Sequence, residues 1–242
     1  MHNTAVIFAG GTGSRFSSRT KPKQFLELNG KPIIIHTLES FQNCAEITDI
    51  YIVCIESWIE RLKDMIDRFR ITKVAGIVPG GATGQESIYN GIHAVYNASS
   101  DRDDTLVLIH DGVRPLIYES TLRDAIACAR KNGSAITVTT ATETIITVDD
   151  NGSVKDVVDR THAKLARAPQ CYFLNDVVRA QEMAKADNYT EAIDTATLMR
   201  HYGYKLYTVE GPVENIKITT PSDYYIFRAL LEAQENTQIF GL

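Results

Sequence analysis

Long apolar runs are missing from this chain of 242 residues. No stretch approaches the roughly 20 residues that an apolar helix needs to cross a bilayer, so no membrane span is expected. The opening residues, MHNTAVIFAGG, have neither a charged leader nor a small-residue cleavage site, and no secretion signal is expected. Cysteine is scarce. Cys44, Cys54, Cys128 and Cys171 are scattered without C-x-x-C spacing, which points to reduced thiols acting as small hydrophobes. The six histidines show no ligand spacing, which argues against a structural zinc site. Positive charge is short as well: 25 Lys and Arg face 30 Asp and Glu, a formal net charge of −5. General nucleic-acid binders carry a basic face, so any basic cluster here is local and suited to a small anion. The cytoplasm is the expected address, with no nucleic-acid or membrane partner.

What remains is an ordinary globular composition, 44% hydrophobic and 23% charged, in a chain long enough for a substantial core and within reach of one domain. Short β-branched runs recur at 4–9, 47–55, 74–78, 105–110 and 135–140. Helical periodicity fills the gaps, from Pro32 to Phe41, Trp58 to Phe69, Ser87 to Tyr96 and Ser120 to Lys131. Such alternation predicts an α/β fold, a doubly wound and mostly parallel sheet with helices on both faces.

One segment breaks the alternation. ETIITVDDNGSVKDVVDR (143–160) carries Asn151-Gly152 between two runs of alternating apolar residues. Asn-Gly is a strong hairpin signal because a two-residue turn wants positive φ at both positions. The segment reads as a β-arm projecting from the body, either an extra edge ribbon or an arm exchanged between subunits. Beyond it the pattern predicts helices around Asn175–Lys185 and Asp194–Tyr202, strands at 205–211 and 215–219, and a closing helix from Pro221 with Thr220 as cap.

The first strand ends in AGGTGSRFSSRTKPKQF, three glycines followed by Arg15, Arg19, Lys21 and Lys23. In a doubly wound sheet ligands bind beyond the carboxyl ends of the strands, where Gly10, Gly11 and Gly13 lie. Glycines let a backbone approach an anion and turn its N–H groups toward it. A dinucleotide fingerprint would want glycine at position 16, which is Phe16, and a P-loop would want G-x-x-x-x-G-K-[ST], which is absent. The remaining reading is a long basic loop wrapping a nucleoside triphosphate, with Arg15 and Lys23 over its phosphates. The bland alternative is a solvated basic loop, which Arg19 and Lys21 fit.

At this point the chain resembles a known family. AGGTGSRF…KPKQFLELNGKPIIIHTLESF is similar to the start of the CTP-dependent cytidylyltransferases that activate polyol phosphates, the methylerythritol-phosphate and ribitol-phosphate enzymes among them. The likeness continues in collinear order through GGATGQESIYNGI (80–92), LIHDGVRPLI (108–117), VVDR (157–160), APQCYFL (168–174) and ENIKITTPSD (214–223). It implies a Rossmann-like nucleotidyltransferase in which an acceptor phosphate oxygen attacks the α-phosphorus of CTP and releases pyrophosphate. It further implies that Arg15 and Lys23 stabilise the reacting phosphorus, and that Ala9, Gly10, Gly81 and Ser87 frame the cytosine. Asp111 would meet the ribose or a Mg²⁺ ion bound mainly through the CTP phosphates; its plain alternative is a turn acid. Arg114, Thr144, Arg160 and Lys217 would hold the acceptor, with Arg160 and Lys217 also serving catalysis. Thr144 and Arg160 would do so in the neighbouring subunit of a homodimer. The plain alternative for Arg160 is a surface ion pair with Asp159.

The chain also departs from the isoprenoid members of that family. The arginine of their GG-x-x-R stretch is Gly84 here, DAARP reads DGVRP (Asp111–Pro115), TPQ reads Ala168-Pro169-Gln170, and TDEA reads IDTA (Ile193–Ala196). Hydroxyls vanish from the side expected to hold the polyol, which favours a ribitol 5-phosphate-like acceptor over methylerythritol phosphate. A catalytically silent nucleotide-binding relative and, more remotely, a nicotinamide oxidoreductase are the rival expectations.

Overall fold

The computed structural model describes residues 1–11 and 21–240, with side chains through 236. Gly13, Arg15 and Arg19 lie outside the described residues. The chain opens with β1 (His2–Ala9) and returns from the loop through a 3-10 turn at Lys23–Phe25. A small hairpin, β2 (Glu27–Leu28) and β3 (Lys31–Pro32), leads into α1 (Ile33–Asn43). Its two turn residues, Asn29 and Gly30, both have positive φ, 53° and 74°, which is the Asn-Gly two-residue turn in its expected form.

Then come β4 (Asp49–Cys54), α2 (Ile59–Arg68), β5 (Val74–Pro79), α3 (Gly84–Ala98), β6 (Thr105–Asp111), α4 (Glu119–Asn132) and β7 (Ser134–Thr140). A ribbon of β8 (Ile146–Val148) and β9 (Val154–Val157) interrupts them before β10 (Lys164–Phe173). The rest is α5 (Leu174–Ala186), α6 (Thr195–His201), β11 (Thr208–Glu210) and α7 (Pro221–Phe240).

Among the described residues the main sheet has seven strands in the order β11-β7-β10-β6-β1-β4-β5. Every neighbouring pair is parallel except those made by β10, which runs antiparallel to both β6 and β7. The buried apolar runs of β1, β4 and β6 supply both faces. One face packs Ile7, Ile52 and Leu108 against α1, α2 and α4, and the other packs Val6, Val53 and Val107 against α3, α5 and α6. A third cluster of Leu28, Ile33, Val113, Leu116, Ile218 and Phe227 seats α7 on the small hairpin. No described helix is long and apolar enough to cross a membrane.

From β1 the sheet grows one way through β4 and β5, and the other way through β6. The switch point therefore lies between β1 and β6, and the crevice at their carboxyl ends is where an open α/β sheet binds ligands. Ala9 and Asp111 end those two strands, and the Gly112 N–H donates to the Phe8 carbonyl at 2.8 Å.

Three sequence expectations need correction. The 215–219 segment is not a strand: Asn215 and Ile218 are buried because one serves the cleft and the other the α7 cluster. The strand expected at 205–211 is only Thr208–Glu210. The turn at Asn151-Gly152 does not have both residues at positive φ; only Gly152 does, at 81°. Asp149 closes a longer loop instead, its Oδ1 accepting from the N–H groups of Asn151 and Ser153 at 2.9 Å each.

Candidate active site

A cleft of about 740 Å³ opens at the switch point. One end is made of backbone. Gly10 and Gly11 follow β1, and Gly80 and Gly81 follow β5, with the Gly80 N–H bonded to the Cys54 carbonyl at 2.8 Å. A Cβ on Gly10 would stand at ordinary contact distance, 3.5 Å, from the Gly80 Cα, whereas one on Gly80 would come within 3.2 Å of the Ser87 Oγ, so the two loops lie side by side with Gly80 the tighter position. Ser87 locks them: its Oγ accepts from the Gly81 N–H at 3.0 Å and donates to the Thr83 carbonyl at 2.9 Å. Thr83 caps α3, accepting from the Glu86 N–H at 3.0 Å, while Glu86 reaches back to the Ala82 N–H at 2.7 Å. The start of α3 thus faces the cleft. Buried Gln24 ties the loop's two sides together, donating to the carbonyls of Ala9 (2.6 Å) and Gly11 (3.2 Å).

The other end is made of charge. Asp111 accepts at Oδ1 from Lys217 Nζ at 2.7 Å and at Oδ2 from Arg114 Nε at 2.8 Å. Burial works to raise its carboxyl, but Lys217 and Arg114 outweigh that and hold it well below the usual carboxylate range. Arg114 is buried and also donates to the Asn215 carbonyl at 2.8 Å. Asn215 in turn donates to the Ala168 carbonyl at 2.5 Å, joining the end of β6 to β10. Beneath them His110 donates from Nε2 to the Arg114 carbonyl at 3.0 Å, and burial pushes its pKa down to about 4, so the ring is neutral. It props the turn and does not add a charge.

A register break between Ala166 and Gln170 in β10 brings Arg167 and Ala168 to the same wall. Bulges of this kind re-aim side chains beside functional clefts. Gln170 donates to Asp194 at 2.9 Å and accepts from the Ala196 N–H at 2.9 Å, fixing the start of α6 and its neighbour Ile193, which is 90% exposed at the cleft rim.

The cleft therefore gathers Ala9, Gly10, Gly11, Lys23, Gly81, Ser87, Asp111, Arg114 and Lys217 from the residues singled out in the sequence. Thr144 and Arg160 do not line it. Thr144 is exposed, and Arg160 donates to the Thr142 carbonyl at 3.1 Å. The Asp159 carboxylate bonds Thr161 and His162 instead of Arg160. Gly13 and Arg15 are outside the described residues. Gly84 starts α3 with nothing within 4 Å of where a Cβ would stand, so no crowding demands glycine there. Sequence reasoning did not single out Gln24, Arg167 or Asn215: Gln24 and Asn215 lie inside the family motifs and Arg167 just before one, but nothing in their spacing marked them.

A family model described as 2-C-methyl-D-erythritol 4-phosphate cytidylyltransferase matches residues 3–233. The chain belongs to this family. As a cytidylyltransferase, and so a nucleotidyltransferase, it has full-length relatives. It is 47% identical over 242 residues, 100% of both chains, to a ribitol-5-phosphate cytidylyltransferase of Streptococcus agalactiae serotype V. It is 48% identical to one from Vibrio parahaemolyticus, covering 99% of this chain and 100% of that one. A 2-C-methyl-D-erythritol 4-phosphate cytidylyltransferase of Clostridium botulinum is 36% identical, with 95% and 97% covered. Among solved structures, the 4-diphosphocytidyl-2C-methyl-D-erythritol synthase of Anaerococcus prevotii superposes with a TM-score of 0.82 at 27% identity, covering 96% of each chain.

Proposed function

We propose that this cytidylyltransferase moves the cytidylyl group of CTP onto ribitol 5-phosphate, releasing pyrophosphate and forming a CDP-alditol. The observation that carries the reading is the meeting, in one cleft, of a neutral backbone-built end and a cationic end anchored on Asp111. A cytosine needs a close, rigid polar frame, and Ala9, Gly10, Gly81 and Ser87 line one, held in shape by the Gly81–Ser87–Thr83 hydrogen bonds. Two phosphate-bearing substrates need their repulsion offset, which falls to Lys23, Arg114 and Lys217. The acceptor brings its own anionic nucleophile: one of its phosphate oxygens bonds to the α-phosphorus as the bond to the pyrophosphate oxygen breaks. The choice of ribitol rests on the greater identity to the ribitol relatives, 47–48% against 36%, and on the hydroxyl-free Ala168 and Ile193 at the cleft.

Mg²⁺ enters this proposal as a companion of CTP. Among the described residues no group of three His, Cys, Asp or Glu side chains could hold a metal. Asp111 is the carboxylate at the charged end of the cleft, and both its oxygens already serve cations. On this proposal a metal would be carried on the triphosphate oxygens, where it would offset charge, with Asp111 the carboxylate named for it. We also place the protein in the cytoplasm, where its four thiols stay reduced.

We further propose a homodimer through the 143–160 arm. Ile146, Val148, Val154 and Val157 are 49–58% exposed on the ribbon, apolar surface that a second copy would cover. Thr144 and Arg160, absent from their own cleft, would then reach the partner's.

Pyrophosphate release from CTP, ATP, GTP and UTP with ribitol, methylerythritol and glycerol phosphates tests the reading. CTP with ribitol 5-phosphate should exceed every other pair by about 10-fold or more. CTP binding with no turnover on any polyol phosphate would leave only the silent relative. In the same assay, mixing Arg160→Ala with Lys23→Ala protein should recover activity that neither has alone; failure to recover it counts against shared sites.

A further inference from the structure

Arg167 has no part in the roles assigned so far. It lies on β10 at the register break, lines the cleft, and is half-buried. Its Nε donates to Thr139 Oγ1 at 3.3 Å, and among the described residues it has no carboxylate partner. Burial and the nearby Arg114 both disfavour its charge. A guanidinium held half out of water, next to another guanidinium and without an acid, is a costly arrangement unless an anion completes it.

We propose that Arg167 is an acceptor-binding residue whose guanidinium donates to the phosphate monoester of the acceptor. The inference rests on the polyol-phosphate reading above and adds to it a determinant of acceptor affinity. Two observations place Arg167 on the acceptor's side. The first is topology. The nucleotide end is built on β1 and on the loop after β5, whereas β10 lies beyond β6, two strand spacings or about 10 Å from β1. The second is connection. Ala168, the next residue, is bonded through Asn215 to Arg114, so Arg167 belongs to the charged cluster. Counted with Asp111 and Asp194, which line the same cleft, Arg114, Lys217 and Arg167 leave this side with a surplus of positive charge only when Arg167 is included. A phosphate monoester, at about −1.5 to −2 near neutral pH, is drawn to such a surplus. With Nε committed to Thr139, the two terminal nitrogens are left to make the paired contact for which arginine suits phosphate.

The test uses full-length protein loaded with a methylene-bridged CTP analogue that cannot release pyrophosphate. Ribitol 5-phosphate and inorganic phosphate are each titrated by calorimetry into wild type, Arg167→Met and Arg167→Lys, and the KM for acceptor is measured with CTP. Arg167→Met should weaken ribitol 5-phosphate about 10- to 100-fold and inorganic phosphate in step with it. KM for the acceptor should rise by a similar factor while kcat changes far less. Arg167→Lys, which keeps the charge and loses the fork, should fall between. Affinity for the CTP analogue should stay put in both variants, and acceptor-free Arg167→Met should melt no lower than wild type. Unchanged acceptor affinity in Arg167→Met, loss directed at the nucleotide, or loss of ribitol 5-phosphate with inorganic phosphate unaffected would each overturn the assignment. If wild type binds and turns over ribitol 5-phosphate and Arg167→Met does so equally well, only this inference fails. If wild type binds no ribitol 5-phosphate, the acceptor reading fails with it.

Discussion

The two ends of the cleft are built from different materials. Around Gly10, Gly81 and Ser87 the lining is main chain, tied by short internal hydrogen bonds. Around Asp111 it is long charged side chains, held in place by one another. On the function proposed above, the first end would discriminate by shape, because a fixed backbone admits only what fits against it, and the second would act by charge, offsetting the repulsion of two anions. Substitutions at the two ends should therefore fail in different ways.

The largest effect is expected at Lys217. Its Nζ approaches Asp111, yet the side chain is 43% exposed, so the fold should hardly depend on it. Lys217→Ala should lower single-turnover cytidylyl transfer by ~10²-fold or more and shift CTP affinity little. A rate within a few-fold of wild type would remove Lys217 from the chemistry.

Asp111 tests whether the charged end also supports the fold. Asp111→Asn leaves buried Arg114 without its counter-ion, and we expect a loss of about 2 kcal/mol at pH 7, below the full cost of a wholly buried pair because Asp111 is 26% exposed. The sign follows from the depressed carboxyl. Its stabilisation is present in full above the unfolded carboxylate range near ~3.9 and is lost as pH falls below it toward the folded value. Urea melts at falling pH should show wild type and Asp111→Asn converging in acid. A gap that stays constant would mean that the ion pairs are not what stabilises the turn.

The sheet was legible in the sequence where strands are continuous apolar runs buried on both faces, as in β1, β4 and β6. It was not legible at β10, whose first three residues, Lys164 to Ala166, are exposed and whose middle holds Pro169, a residue that speaks against an interior strand. The Asn-Gly signal makes the same point twice. At Asn29-Gly30, a turn not singled out from the sequence, Leu28 pairs directly with Lys31 and both turn residues take positive φ. At Asn151-Gly152 the Asp149 carboxylate captures the backbone and lengthens the loop. In the cleft, the glycines and Asp111 could be placed from sequence because strand ends locate them. Arg167 and Asn215 could not, since their relevance comes from a chain of contacts through Ala168 and Arg114 that links distant segments.

The smallest effect separates shape from packing at the backbone-built end. Gly10 and Gly91 both lie near Val53, and Gly10 alone lines the cleft. A Cβ at Gly91 would meet Val53 Cγ2 at 2.6 Å and Val6 Cγ1 at 2.7 Å, in the tight seam of α3 on the sheet. Gly91→Ala should destabilise by about 1–3 kcal/mol through overpacking, partly offset by the better helix propensity of alanine, with CTP affinity in the folded protein unchanged. At Gly10 the new methyl finds only ordinary contacts, the nearest at 3.5 Å, so Gly10→Ala should melt within about 0.5 kcal/mol of wild type. Its cost should appear as a few-fold weaker Kd for CTP, because the methyl fills the space between Gly10, Gly80 and the Ser87 hydroxyl, the frame proposed for the base. Equilibrium melts and CTP titrations on the pair give opposite patterns if the glycines serve these separate purposes, and matching patterns would show that Gly10 is there only for packing.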